Sequence, residues 1–206
     1  MTKLLFEMAG AIVDSHMLDV GRVINIAHHA LQCSALPGDM AEFGCHVGRT
    51  AAVLAHIVDK PLWLYDSFAG LPDRAPQDAG AAGNFQRGSF AIEKAEAEVL
   101  ERFEKHGLRK PIVYKGWFNT IPLDKLPERI CFVHLDGDFY ESIRDSLRLA
   151  YARMVPGAAC IIDDYGWNGL PGVQIAVDEF MADKPEKVKP LVTGNDKGFH
   201  AVIIKV

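Results

Sequence analysis

An open, doubly wound α/β sheet is the fold this chain predicts, on three observations. Apolar runs of strand length alternate with amphipathic stretches of helix length from residue 39 onward. Residues 39–65 read strand, glycine loop, helix, strand, a connection too long for a hairpin and long enough for a right-handed parallel crossover. Two later consecutive runs each end on a pair of acids, His134-Leu135-Asp136-Gly137-Asp138 and Ile161-Ile162-Asp163-Asp164. That pattern sets four carboxylates on one rim of a parallel sheet, where open α/β folds bind their ligands.

The elements come in order along the chain. Val20 to Leu36 carries Val23, Ile24, Ile26, Ala27, Ala30 and Leu31 at spacings of three and four and stops at Pro37-Gly38, which predicts an amphipathic helix packed against the rest of the domain. Met40 to Phe43 is a strand, Gly44 to Gly48 a loop, Arg49 to Val58 a helix and Leu62 to Tyr65 a strand. The segment 68–89 is rich in Gly, Pro, Ala and Asp. A loop of that length on the ligand rim is a candidate lid. A helix over Ala91 to His106 leads to a strand at Ile112 to Tyr114, and then come a strand at Ile130 to Leu135 and a helix over Glu141 to Met154. Pro156-Gly157 predicts a turn into a strand at Ala158 to Ile162, and Val173 to Met181 reads as helix. Two closing strands, Val188 to Val192 and His200 to Ile204, are separated by Gly194-Asn195-Asp196, which predicts an antiparallel edge pair.

Composition narrows the function classes. A chain of 206 residues, 49% hydrophobic and 24% charged, buries a full core and reads as one domain over 1–206. A net charge of −5 with scattered Lys and Arg gives no footprint for nucleic acid. No stretch reaches the length of a membrane span and Met1 to Val13 lacks a long apolar region, so a soluble, cytoplasmic protein is expected. Cys33, Cys45, Cys131 and Cys160 form no Cys-x-x-Cys pair and read as reduced structural thiols.

Packing four carboxylates together raises their proton affinity unless a cation neutralises them, and an oxygen-only donor set favours a hard divalent ion such as Mg²⁺ or Ca²⁺. Capping and turn roles for the same acids are the plainer alternative. Glu42-Phe43-Gly44-Cys45-His46-Val47-Gly48 is a strand end followed by two glycines, a loop that lets backbone approach a ligand and then opens a helix with free N–H groups. It is not the dinucleotide pattern Gly-x-Gly-x-x-Gly. Glu42, before the first glycine, and Asp66, eighteen residues beyond Gly48, are placed to hold polar groups of a nucleoside, Asp66 the ribose hydroxyls. His134 shares a strand face with Asp136 and reads first as a packed, hydrogen-bonded histidine, second as a ligand.

Five strings in order carry a resemblance: Pro37-Gly38-Asp39-Met40-Ala41-Glu42-Phe43-Gly44, Tyr65-Asp66-Ser67-Phe68-Ala69-Gly70-Leu71-Pro72, Gly116-Trp117-Phe118, His134-Leu135-Asp136-Gly137-Asp138-Phe139-Tyr140 and Ile161-Ile162-Asp163-Asp164-Tyr165. Together they resemble the macrocin O-methyltransferase family, whose members are S-adenosylmethionine- and Mg²⁺-dependent enzymes that methylate sugar hydroxyls. The resemblance implies a Rossmann-like class I methyltransferase fold. It implies cofactor binding at Glu42, Gly44, Gly48, Asp66, Ser67 and Trp117, metal binding at Asp136, Asp163 and Asp164, and a general base at Asp138. Two departures are the glycine loop, Gly44-Cys45-His46-Val47-Gly48-Arg49 in place of a double glycine, and an N-terminal region that reads as short.

Methyl transfer from a sulfonium needs a hydroxyl positioned in line and relieved of its proton. The four aspartates supply that inventory, three for an ion that two neighbouring hydroxyls would chelate and one for the proton. The expected substrate is therefore a small glycoside or other vicinal diol, with a catechol-type acceptor as the alternative, and with the N-terminal helix as a surface for a homodimer. A nicotinamide reductase would need the complete glycine fingerprint or a Tyr-x-x-x-Lys pair, and the chain has neither. A phosphohydrolase would place its first acids earlier in the chain. A non-catalytic nucleoside-binding module remains the rival from another class.

Overall fold

The computed structural model describes residues 20–192 and 199–206. Helix α1 (Val20–Gln32) precedes β1 (Asp39–Phe43), α2 (Arg49–Ile57), β2 (Leu62–Asp66), α3 (Ala95–Lys105) and β3 (Ile112–Lys115). Next come β4 (Ile130–Leu135), α4 (Tyr140–Tyr151), β5 (Met154–Asp163), α5 (Pro171–Met181), β6 (Lys189–Val192) and β7 (Phe199–Ile204). The strands form one seven-stranded sheet in the order β3-β2-β1-β4-β5-β7-β6. The first five are parallel, and β7 runs antiparallel to both β5 and β6. The doubly wound expectation therefore holds, with β7 inserted between β5 and the edge strand β6.

Period-two alternation divides the strands between two apolar layers. Met40, Phe132, Ala159, Ile161 and Val202 point to the face covered by Val23, Ile26 and Ala30 of α1, by α2, and by Val99 and Phe103 of α3. Ala41, Phe43, Val133, Leu135, Ile162 and Ile203 point to the other, covered by Ile143, Leu147 and Ala150 of α4 and by Val173, Ala176 and Val177 of α5. All six residues of β4 are buried, as a central parallel strand requires. Because the chain crosses to opposite faces on either side of β1, the strand order reverses between β1 and β4, and a crevice opens at their carboxyl ends.

Several boundaries differ from the sequence reading, among them the helix expected from Ala91, which begins at Ala95. Helix α1 stops at Gln32, and residues 33–36 continue as a turn closed by the Leu36 N–H donating to the Cys33 carbonyl at 3.0 Å. Helix α4 ends at Tyr151, and Met154, read as its last residue, opens β5 instead. The turn expected at Pro156-Gly157 is a bulge within that strand. Register passes from Ile130 opposite Met154 to Phe132 opposite Ala159, so the extra residues leave the ladder where Pro156 has no N–H to donate. The turn expected at Gly194-Asn195-Asp196 lies outside the described residues. All four cysteines are buried and unbridged, and no helix among the described residues is long and apolar enough to cross a membrane.

Candidate active site

A cavity of about 1000 Å³ opens at the carboxyl ends of the strands. Its wall takes Glu42, Gly44, His46 and Arg49 from the β1 exit, Asp66, Ser67, Leu71 and Pro72 from the β2 exit, and Trp117 from the β3 exit. Asp136 and Asp138 lie just past β4, Asp163 and Asp164 close β5, and Arg22 reaches in from α1. Of the residues to which the resemblance gives cofactor, metal or base roles, Gly48 is not on that wall, and neither is His134, weighed separately as a ligand, which lies behind it on β4. Gly48 precedes α2 at φ 73, and its N–H donates to the Cys45 carbonyl at 2.7 Å, so it closes the turn that presents Cys45, His46 and Val47. Gly44 is required more directly: a Cβ there would come within 1.8 Å of the Asp136 carbonyl oxygen. Only glycine lets the β1 exit and the β4 exit touch and bring the two loops onto one cavity.

Asp66 accepts the backbone N–H groups of His46 at 2.8 Å and Phe68 at 2.7 Å, which ties the β1 and β2 exits together. Ser67 Oγ bonds within its own turn, donating to the Gly70 carbonyl at 3.2 Å. Glu42 is buried, with Oε1 2.9 Å from Nδ1 of His134, its register partner on β4. Burial pushes the Glu42 carboxyl up, and the contact with His134 offsets part of that rise.

The aspartates form two overlapping groups. Carboxylate oxygens of Asp136, Asp138 and Asp164 lie within 4.8 Å of one another, and so do ligand atoms of His134, Asp136 and Asp163. Arg22 bridges Asp163 and Asp164, with Nη1 3.0 Å from Asp163 Oδ2 and Nη2 2.8 Å from Asp164 Oδ1. His200 Nε2 stands 2.8 Å from the other Asp163 oxygen. Burial alone would raise the Asp163 carboxyl, but His200 and Arg22 outweigh it and hold it well below the usual carboxylate range. Burial and the neighbouring carboxylates push Asp136 and Asp138 up, and burial with the Asp163 charge pushes Asp164 up against the pull of Arg22. One carboxylate is thus fixed in its charged form among three that favour a proton, an arrangement that a hard divalent cation held by oxygen donors would relieve. Asp138 and Asp164 adopt left-handed backbone at φ 56 and 58, as do His46 and Phe90 on the same wall at φ 48 and 66. Such residues gather where a site fixes its geometry at the expense of local strain.

The segment 68–89 covers one side of the cavity through Leu71, Asn84 and Phe85. It folds on itself, with the Leu71 N–H donating to the Ser89 carbonyl at 2.9 Å and Arg74 donating to the Ala82 carbonyl at 2.7 Å. Asp78, in a short 3₁₀ turn (Pro76–Asp78), is buried and accepts the backbone N–H of Tyr140 at 2.9 Å. Phe85 meets Trp167 edge to face at 5.6 Å. Sequence reading did not find Arg22, His200 or Asp78. Asp163 lies 141 positions from Arg22 in the chain, and no local pattern marks such a pair.

Three comparisons bear on this geometry. The Macrocin-O-methyltransferase (TylF) family matches residues 15–193. The chain is 32% identical over 180 residues to mycinamicin III 3''-O-methyltransferase of Micromonospora griseorubida, covering 80% of this chain and 69% of that enzyme. It is 33% identical over 163 residues to demethyldecarbamoylnovobiocin O-methyltransferase of Streptomyces niveus, covering 71% of this chain and 59% of that one. It therefore spans under two thirds of the length of the novobiocin relative. Among solved structures it resembles the O-methyltransferase NovP, with TM-score 0.76, 25% identity and coverage of 92% and 81%. It shares its fold with the calicheamicin methyltransferase CalS11, with TM-score 0.77, 16% identity and coverage of 98% and 91%. With the matching family, the sheet order and the acidic rim in agreement, the chain belongs to the macrocin O-methyltransferase family.

Proposed function

We propose that this protein is an S-adenosylmethionine- and Mg²⁺-dependent O-methyltransferase acting on one hydroxyl of a vicinal diol on a sugar of a natural product. The observation that carries the reading is the convergence of Asp136, Asp138, Asp163 and Asp164 with Glu42 and Asp66 on a single cavity. Bound S-adenosylmethionine would supply a methyl group already activated for displacement, and Asp136, Asp163 and Asp164 would hold a Mg²⁺ ion whose charge would stabilise a hydroxyl oxygen losing its proton. The protein's part is orientation and proton removal. Gly44 and the loop Cys45 to Val47 leave room for the cofactor against the sheet, with Asp66, Ser67 and Trp117 on its flank. Asp138, whose carboxyl is pushed up by burial and by Asp164 and Asp163, is matched to accept a proton near neutral pH. Phe85 and Trp167 pack edge to face on the cavity wall, an apolar surface that would limit water at the reacting oxygen.

The sugar acceptor is favoured by the relatives' activities, which include methylation on a rhamnosyl group of a tetracenomycin. The aromatic wall of Phe85, Phe90 and Trp167 also suits a planar catechol, which makes a catechol-type diol the second reading. A panel of glycosides and catechols incubated with labelled methyl donor separates them. Transfer to a glycosidic vicinal diol, abolished by EDTA and restored by Mg²⁺, is the expected result. Full turnover in chelator would remove the metal role, and donor binding without transfer to any diol would leave a nucleoside-binding module.

A further inference from the structure

Glu42, His134, Asp136, Asp163 and His200 form a polar patch at the rim end of the sheet face that α1 covers. Glu42 on β1 is opposite His134 on β4, and Asp163 on β5 is opposite His200 on β7. Asp136 lies two residues beyond His134 on the same side of the strand. His134 is 1% exposed. Its Nδ1 is taken up by Glu42 at 2.9 Å, while its Nε2 is buried and makes no hydrogen bond among the described residues. A ring nitrogen of His134 and one oxygen from each of Asp136 and Asp163 lie within 4.8 Å of one another.

A buried imidazole nitrogen left without a partner keeps its full desolvation cost, so an interior position needs something to satisfy it. With a carboxylate accepting the Nδ1 proton, the lone pair resides on Nε2, the tautomer in which histidine ligates metals, and an acid behind the ring is the usual device that orients it. Asp163 already meets Arg22 and His200, yet a carboxylate has about four lone-pair sites and retains capacity for an ion. We infer that His134, oriented by Glu42, is a direct ligand, through Nε2, of the cation that Asp136 and Asp163 hold. This rests on the proposed cation site and gives that site a mixed nitrogen and oxygen character. Imidazole raises affinity for first-row transition ions over Mg²⁺, so Mn²⁺ is expected to bind more tightly than Mg²⁺. It also gives Glu42 a role apart from the cofactor, that of a positioning residue for the imidazole.

Mn²⁺ alone, titrated into the full chain and read by electron paramagnetic resonance, tests this without turnover. Pulsed spectra of bound Mn²⁺ are expected to show the ¹⁴N coupling of one imidazole, converted to ¹⁵N coupling when histidine is isotopically labelled. His134→Asn, which keeps an amide facing Glu42, should abolish that coupling and narrow the preference for Mn²⁺ over Mg²⁺. Glu42→Gln should keep the coupling and weaken Mn²⁺ binding by about tenfold, the lower end of what loss of an orienting partner costs a metal site. Tightly bound Mn²⁺ without any ¹⁴N coupling in the native chain would overturn the inference and leave the cation site standing. No specific Mn²⁺ or Mg²⁺ binding at all would overturn both.

Discussion

Asp163 and Asp164 are adjacent in sequence and opposite in environment. Asp163 lies between Arg22 and His200 and stays charged, while Asp164 meets Arg22 but is pushed toward its protonated form by burial and the Asp163 charge. Replacing Arg22 by Met keeps the apolar stem and removes the fork. Two buried carboxylates then lose their fixed cation, and the chain should lose roughly 3 kcal/mol of stability, the scale of breaking a buried pair. Thermal unfolding with and without Mg²⁺ checks this, and the ion should raise the variant's midpoint more than the native one's. Asp138→Asn is the cleanest probe of the proposed base, because Asn tolerates the left-handed backbone that Asp138 adopts at φ 56. It should lower kcat by about a hundredfold or more with cofactor affinity retained; an unchanged rate assigns the proton elsewhere. These residues differ in how readable they were. Asp136, Asp138, Asp163 and Asp164 stand out in sequence because acids interrupt two apolar runs. Arg22 does not, because an arginine on the polar side of an amphipathic helix is ordinary until the helix docks.

Helices and strands were legible where burial imposes a period. The α1 stripe of Val23, Ile26 and Ala30, and the unbroken β4 run, result from one face or two being covered. The end of α4 and the β5 bulge were not legible, since Met154 is compatible with helix and strand alike and only pairing with Ile130 decides. The segment 68–89, flagged by its glycines and prolines as a loop over the rim, is tied down by a residue that carries no sequence signal. Asp78 accepts the first N–H of α4, whose own cap residue, Phe139, has no side-chain acceptor. Asp78→Ala should therefore cost about 1–2 kcal/mol, as for a lost helix cap. It should also speed amide hydrogen exchange at Tyr140 and through residues 75–89. Exchange unchanged at both places would show that the loop is held by its own internal bonds.

Across the whole molecule, the open sheet leaves its chain end to be fastened at the antiparallel edge. Glu186 is buried and accepts Tyr151 Oη–H at 2.6 Å, Lys205 Nζ–H at 2.7 Å and the Val206 N–H at 3.2 Å. Burial would raise its carboxyl, but the hydrogen bonds from Lys205 and Tyr151 outweigh it and lower it to about 2. A group whose folded pKa is depressed stabilises the fold above its unfolded value, and that contribution is lost as pH falls through the folded one. The native chain should hold this contribution at neutral pH and lose it between about pH 4.5 and 2. Glu186→Gln should unfold at lower temperature than the native chain at neutral pH, and the difference should shrink across that window in paired melting curves. The sequence by itself determined the order of strands and helices, the acidic rim and the glycine loop beside it, because periodicity, turn chemistry and misplaced charge are local. Tertiary structure alone decided which acid stays charged, that His200 and Arg22 join the cluster, and what anchors the loop. Those outcomes depend on desolvation and on partners as far as 142 positions away in the chain, which are fixed only when the layers close.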